Sequence, residues 1–218
     1  MNIGIIGAGN VGGALGKRWA GKGHQVKFGV RHPEEAKVLK LLEECHGRGS
    51  AGSLAEAASF GEVVLLTTPW DATRAAIEAA GELSGKVLVD CTNPLPLGAK
   101  LMDGLVIGHT TSGGEEVAKW ARGAKVVKAF NTTGATNLAD PRYGPGKAVM
   151  FVAGDDAAAK GVVIKLSNEL GFNTLDAGPL RQARLLEPLA MLWISLAYAQ
   201  GLGPNFVFKL QRRGGALP

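Results

Sequence analysis

Asn2-Ile3-Gly4-Ile5-Ile6-Gly7-Ala8-Gly9-Asn10-Val11-Gly12 is the stretch on which the fold turns. An apolar run of strand length, Asn2 to Ile6, passes through glycines spaced G-x-G-x-x-G into Val11 to Gly21, where Ala14, Leu15, Trp19 and Ala20 recur at helical spacing. In a chain with 32 glycines among 218 residues the hexapeptide alone means little, but between a strand and a helix it has a mechanical reading. Gly7 permits the tight turn, Gly9 lets a pyrophosphate approach the backbone, and Gly12 lets helix and strand pack closely. Ala8, Asn10 and Val11 complete the loop, whose free amide hydrogens and helix dipole favour an anion.

Outward from this unit the pattern repeats. Gln25 to Val30 reads as a second strand, and Pro33 to Cys45 as a helix with Pro33 in its first turn. A weak strand near Ser50 and a short helix from Ser53 come next. Glu62 to Thr68 carries Val63-Val64-Leu65-Leu66, a strand buried on both faces, and feeds a helix from Asp71 to Ala80. Strands at Val87 to Val89, Ala124 to Phe130, Ala148 to Ala153 and Asn173 to Leu175 alternate with helices at Glu115 to Arg122 and Ala157 to Leu170. Such alternation predicts an α/β fold: a Rossmann-type, doubly wound, mostly parallel sheet with helices on both faces. Residues 1–178 form the dinucleotide-binding domain in this reading, and 179–218 a C-terminal helical segment that closes the cleft or makes a dimer contact. Arg181 to Gln200 is apolar almost all round, with Pro188 as a kink or a starting point, so more than one side must be covered. Packing on its own domain and homodimerisation both satisfy that demand.

Composition narrows the function. The net charge of +5 comes from 24 basic and 19 acidic residues that are scattered, never in a run, so nucleic acid is not the expected partner. The two cysteines, Cys45 and Cys91, have neither Cys-x-x-Cys nor metal-ligand spacing, and His109 stands alone, so no metal site is expected. No signal peptide is read, and the apolar stretch from Leu189 to Ala199 is far shorter than the roughly 18 residues of a membrane span. A soluble, cytoplasmic protein is expected.

The end of the second strand speaks to cofactor choice. A NAD binder would place Asp or Glu there for the ribose 2′-hydroxyl, whereas this chain has Gly29-Val30-Arg31-His32. Arg31 can pair with a 2′-phosphate and stack on adenine, with His32 in support, which argues for NADP(H). Open α/β sheets bind ligands at the carboxyl ends of their strands, and the polar or flat residues there are Thr67-Thr68-Pro69-Trp70, Asn93-Pro94 and Asn131-Thr132. No His, Lys or Tyr stands out as an acid–base group, so no catalytic side chain is assigned, and Tyr198 reads as core. Hydride transfer to a flavin-like ring needs little such chemistry, because the acceptor carries its own electronics.

Taken together these segments resemble the NADPH:coenzyme F420 oxidoreductase family. The resemblance rests on Ile5 to Gly12, Gly29-Val30-Arg31, Leu66 to Trp70, Lys125 to Thr132, Leu175-Asp176-Ala177-Gly178-Pro179-Leu180 and Ala183-Arg184-Leu185-Leu186-Glu187. Lys128 to Thr132 is also similar to the reductase domain of six-transmembrane metalloreductases, whose membrane half is not expected here. The resemblance implies nicotinamide and deazaflavin stacked in a cleft. Gly9, Asn10 and Val11 would touch the pyrophosphate, Arg31 the 2′-phosphate, and Thr67 to Trp70 the middle of the cofactor. Pro94, Asn131, Thr132 and the Gly201-Leu202-Gly203 turn would face the acceptor, coenzyme F420 or a flavin. Val30 stands where the family commonly has Ser. Two other readings are a small imine or hydroxy-acid reductase related to pyrroline-carboxylate reductase and a non-enzymatic NADPH sensor. The former expects a larger helical domain than the roughly 40 residues after Gly178 provide.

Overall fold

The computed structural model describes residues 1–96, 98, 104–144, 146–211 and 213. The end of the C-terminal segment read from the sequence, 212 and 214–218, thus lies outside the described residues. The chain forms β1 (Asn2–Ile6), α1 (Asn10–Gly21), β2 (Gln25–Gly29), α2 (Ala36–Glu43), β3 (Gly49–Gly52), α3 (Leu54–Phe60), β4 (Val63–Leu66), α4 (Trp70–Ala80) and β5 (Val87–Asp90). It continues with α5 (Gly113–Trp120), β6 (Lys125–Lys128), α6 (Ala135–Ala139), β7 (Arg142–Tyr143), β8 (Gly146–Lys147), β9 (Val149–Gly154), α7 (Ala157–Glu169), β10 (Asn173–Gly178) and α8 (Ala183–Ile194).

Eight strands make one sheet in the order β10-β9-β6-β5-β4-β1-β2-β3, and β7 pairs only with β8. Within the large sheet all neighbours run parallel except β6 and β9. Successive crossovers from β1 run toward β3 on one side, while β4 to β6 extend the other, so the order reverses between β1 and β4. A crevice opens at such a switch point. The antiparallel step has a simple cause. A parallel neighbour needs a crossover helix, whereas β6 returns to β9 through the five-residue α6 and the short hairpin.

Alternation along each strand feeds two apolar layers. Ile3, Ile5, Phe28, Leu65 and Val127 pack under α1 with Leu15 and Trp19, while Ile6, Val64, Leu66, Leu88 and Val126 pack under α4 and α5 with Ile77 and Val117. All four residues of β4 are buried, as a central parallel strand requires.

Three differences from the sequence reading have local causes. The helix expected from Pro33 begins at Ala36, because Pro33 and Glu34 make a turn and Glu35 takes an extended backbone as the N-cap. α6 and the hairpin carry too few residues to show a period. The segment expected as one helix over Arg181 to Gln200 is three: a 3-10 turn at Leu180–Gln182, α8 containing Pro188, and a π-helical turn at Ser195–Ala199. Beyond it, Pro204 to Phe208 straps back onto the body, with Val149 N donating to Phe208 O at 3.1 Å.

Candidate cofactor cleft

A cleft of about 1430 Å³ opens at the crevice, bounded by the turn after β1, the loop after β2 and the turn after β4. Its floor is the glycine turn. Gly7 sits at φ +107, where only glycine is comfortable, and donates to Gly29 O at 3.0 Å. A Cβ on Gly12 would lie 2.2 Å from Gly7 O and 2.6 Å from Thr67 Oγ1, so helix α1 can approach the strand only with glycine there. Gly9 is the opposite case, since a Cβ there would meet nothing within 4 Å of protein. Its openness faces the end of a 12-residue helix that has no side-chain cap and no acidic residue in its first turn. Free amide donors and an uncompensated positive dipole end remain for an anion.

Across the floor, the Thr67 hydroxyl donates to both Ile6 O and Gly7 O at 3.0 Å, tying the end of β4 to the glycine turn. Thr68 and Thr73 share a 3.0 Å hydroxyl contact, and Thr73 donates to Pro69 O at 2.9 Å, which fixes the entry to α4. Arg31 is exposed on the cleft wall just after β2, which Val30 N anchors by donating to Gly52 O at 2.9 Å. Neighbouring cations are already engaged: Lys37 Nζ lies 2.7 Å from Glu35, Lys17 Nζ 2.6 Å from Glu44, and His32 3.3 Å from Glu34. Hydrogen bonds from Lys37 and Lys17 hold the Glu35 and Glu44 carboxyls below the usual carboxylate range. Among the described residues Arg31 has no carboxylate partner, so its guanidinium is the one at this strand end available to a ligand phosphate.

The cleft therefore gathers Gly7, Ala8, Gly9, Asn10, Arg31, His32, Thr67, Thr68 and Pro69 from the expected set. Val11 and Gly12 lie within α1 behind it. Trp70 packs on Trp120 with ring centroids 5.3 Å apart. Asn93 and Asn131 form a reciprocal pair: Asn93 Nδ2 donates to Asn131 O at 2.9 Å and Asn131 Nδ2 to Asn93 Oδ1 at 3.0 Å. Asn131 Nδ2 also reaches Leu186 O at 3.2 Å, and its own Oδ1 is buried without a partner. Just before it, Phe130 holds φ 61 in the core, a rare state for an aromatic residue. Pro94 and Thr132 are buried beside this pair in sequence, and Leu202 is exposed.

Sequence reasoning missed two features. Gly134, Ala135, Thr136, Tyr198 and Pro204 form the far wall, and Tyr198, expected as core, is 62 % exposed there. The second is a buried charge cluster. Lys128 Nζ contacts Asp90 Oδ2 at 2.9 Å, Glu187 Oε1 at 2.7 Å and Thr92 O at 2.6 Å, all three charged side chains being 0 to 1 % exposed. Glu187 also accepts from Gly113 N and Gly114 N at 2.8 and 2.9 Å, at the start of α5. Burial alone would lower the Lys128 pKa, but attraction to Asp90 and Glu187 and the hydrogen bonds to them outweigh it and raise it. The signal was present in the sequence as lone charges inside apolar runs. Among the described residues, no cluster of His, Cys, Asp and Glu can hold a metal, and no helix is long and apolar enough to cross a membrane.

Comparison with known proteins agrees with this geometry. Residues 2–94 match the family model for NADP oxidoreductases that are coenzyme F420-dependent. The F420-dependent NADP reductase of Methanothermobacter marburgensis is 32% identical over 210 residues, covering 90% of this chain and 92% of that protein. The metalloreductase STEAP3 of Rattus norvegicus is 32% identical over 194 residues, 87% of this chain but only 37% of that protein. A crystal structure from Arthrobacter sp. FB24, provisionally assigned as an F420-dependent NADP-reductase, superimposes with a TM-score of 0.88 at 36% identity over 96% of this chain and 99% of the other.

Proposed function

The chain belongs to the family of F420-dependent NADP oxidoreductases, and from that premise we propose that it passes hydride between NADP(H) and coenzyme F420. The observation that carries this reading is the pairing, in one cleft, of an open Gly9 at an uncapped helix start with an unpaired Arg31. A pyrophosphate suits the first and a 2′-phosphate the second. The cleft exceeds the 300 to 1,000 Å³, roughly, of a pocket for one drug-sized ligand, which suits a ligand as long as a dinucleotide.

When bound, the nicotinamide and the deazaflavin would supply the hydride donor and acceptor, in either direction, with the accompanying proton exchanged with solvent. In this reading the chain holds and orients the two rings through Gly7 to Gly12, Arg31, His32, Thr67 to Trp70, Asn93 and Asn131 on the cofactor side. Pro94, Asn131, Thr132 and Leu202 serve the acceptor side. The domain over 1–178 carries the dinucleotide in this reading, and the segment that follows it closes the cleft through Tyr198 and Pro204. The exposed Leu185, Leu192 and Leu202 support a homodimer through the C-terminal segment, a reading that a dimeric mass by light scattering at micromolar concentration would test. Cys45 and Cys91 are buried and unpaired, which suits the reducing cytoplasm.

The decisive experiment follows NADPH oxidation by absorbance with oxidised F420, FMN, a ferric chelate and a cyclic imine in parallel. Turnover with F420 is expected. Tight NADPH binding without any turnover would indicate a sensor, and turnover confined to the imine would indicate an imine reductase.

A further inference from the structure

We propose that Tyr198 is an acceptor-binding residue: its exposed ring forms an aromatic wall of the cleft against which the planar acceptor lies. This deepens the F420 reading and rests on it.

The local backbone departs from regular helix to put this ring in the cleft. Helix α8 gives way to the π-helical turn Ser195–Ala199, closed by Gln200 N donating to Ser195 O at 2.9 Å. A π turn carries an extra residue per turn and so re-aims the side chains within it, Tyr198 among them, and such turns concentrate at functional sites. The chain then leaves through Gly201 at φ 73 and Gly203 at φ 75, and Pro204 joins Tyr198 on the same wall. The result is a large aromatic residue left 62 % exposed, whose hydroxyl has no hydrogen-bond partner among the described residues.

The ring also stands on a fixed base. Tyr198 meets Trp193 edge to face, with centroids 6.2 Å apart and planes at 82°. Trp193 is buried, donates from Nε1 to Phe206 O at 3.0 Å and stacks on the Phe206 ring at 5.2 Å. Phe206 O in turn accepts from Asn137 Nδ2 at 2.8 Å. A Cβ on Gly134 would come within 2.5 Å of the Trp193 ring, so the opposite side of the wall is closed as well. The anchored Trp193 and Phe206 give the Tyr198 ring a fixed edge-to-face neighbour on one side and leave its exposed surface for a flat ring. No cation from the wall competes for that role, since Gly134, Ala135, Thr136 and Pro204 are uncharged.

The test is binding, read without turnover. Dissociation constants for oxidised F420 in the presence of saturating NADP⁺, and separately for NADPH, are measured by fluorescence titration on the wild type, Tyr198→Phe and Tyr198→Ala. Loss of an aromatic contact predicts about a 3- to 10-fold weaker F420 affinity in Tyr198→Ala, unchanged NADPH affinity, and wild-type affinity in Tyr198→Phe. Equal F420 affinity in all three proteins would overturn the wall while leaving the F420 reading intact. A loss in Tyr198→Phe as large as in Tyr198→Ala would also overturn it, by assigning the effect to the hydroxyl. So would a Tyr198→Ala protein that turns monomeric with F420 affinity unchanged. A wild type that neither binds F420 nor oxidises NADPH with it would remove the acceptor class and the wall together.

Discussion

Lys128 Nζ lies 2.7 Å from Glu187 Oε1, with both groups out of contact with water, and this contact ties the last strand of the parallel run to the C-terminal helix. Asp90 on β5 holds the same ammonium from the other side, and the α5 amides hold Glu187. Strand ends that carry Asn93 and Asn131 are thereby joined to the helix that leads to Tyr198. A buried ion cluster is a poor source of net stability but a demanding one to break, because a lost partner strands the remaining charges.

Lys128→Met should accordingly destabilise the fold by about 3 to 5 kcal/mol, leaving Asp90 and Glu187 buried without their cation. Urea unfolding monitored by Trp fluorescence reads this directly. The pH dependence derives from the raised Lys128 pKa. Its contribution is fully present below the ordinary lysine value of 10.5 and is lost as pH rises through the higher folded-state value, so the wild type should lose stability only at strongly alkaline pH. A loss under 1 kcal/mol, roughly, in Lys128→Met would mean that water enters and solvates the carboxylates.

Acid should act through a different pair. Arg184 clasps Glu115 with two hydrogen bonds, of 2.8 and 2.6 Å, linking α8 to α5. That hydrogen bonding lowers the Glu115 pKa below 4.5 despite partial burial, which raises it. The stabilisation is present above the unfolded value and disappears as pH falls through the lower folded one. Glu115→Gln should therefore flatten the acid limb of a stability profile below pH 4.5. Because Arg184 is a third exposed, the loss at neutral pH should be about 1 kcal/mol or less. An unchanged acid limb would assign it to other carboxylates.

Two glycines of one turn should fail in opposite ways. Gly9→Val adds atoms where the protein has none within 4 Å, so the fold should survive and NADPH affinity should drop by more than about 100-fold as pyrophosphate contacts are blocked. Gly12→Ala places its methyl 2.2 Å from Gly7 O and should destabilise the protein by about 1 to 3 kcal/mol. Thermal melts with and without NADPH separate the outcomes: Gly9→Val loses the ligand-induced rise and Gly12→Ala lowers the baseline. A Gly9→Val protein that keeps NADPH affinity would take the turn out of the site.

Legibility in the sequence tracks the range of the interactions. The β1 turn and the position of Arg31 on the cleft wall are legible because their geometry is local: a glycine spacing fixes a turn, and the end of β2 fixes where the next side chain lies. The antiparallel β9 was not, since strand direction depends on the connection and α6 is too short to show a period. Lys128, Asp90 and Glu187 meet across separations of 38 residues and more, and nothing at any one position announces the partners. Tyr198 was misread for the same reason. Its apolar neighbours describe the helix, while its place on the cleft wall follows the π turn at Ser195–Ala199, which no spacing in the sequence announces.

Arg31 offers the sharpest test of cofactor choice. It stands free on the cleft wall while Lys17 and Lys37 are tied to glutamates, so its guanidinium can give paired donors to a 2′-phosphate. A 2′-hydroxyl needs an acceptor instead, which arginine cannot supply. Since a hydrogen bond to a charged group contributes about 1.5 to 3 kcal/mol, Arg31→Ala should weaken NADPH by roughly 10- to 150-fold and leave NADH nearly unchanged. Arg31→Asp should go further, adding repulsion toward NADPH and an acceptor for NADH, so that the preference reverses. Val30 at the preceding position has no side-chain hydrogen bond to offer, so the discrimination falls on Arg31, with His32 already beside Glu34. Dissociation constants for both nucleotides at fixed ionic strength are the measurement. Equal losses for NADPH and NADH in Arg31→Ala would make the arginine a support for the loop, and the 2′-phosphate would then have to be recognised by Lys17 or Lys37 after breaking their ion pairs, or by Lys40 from farther along α2.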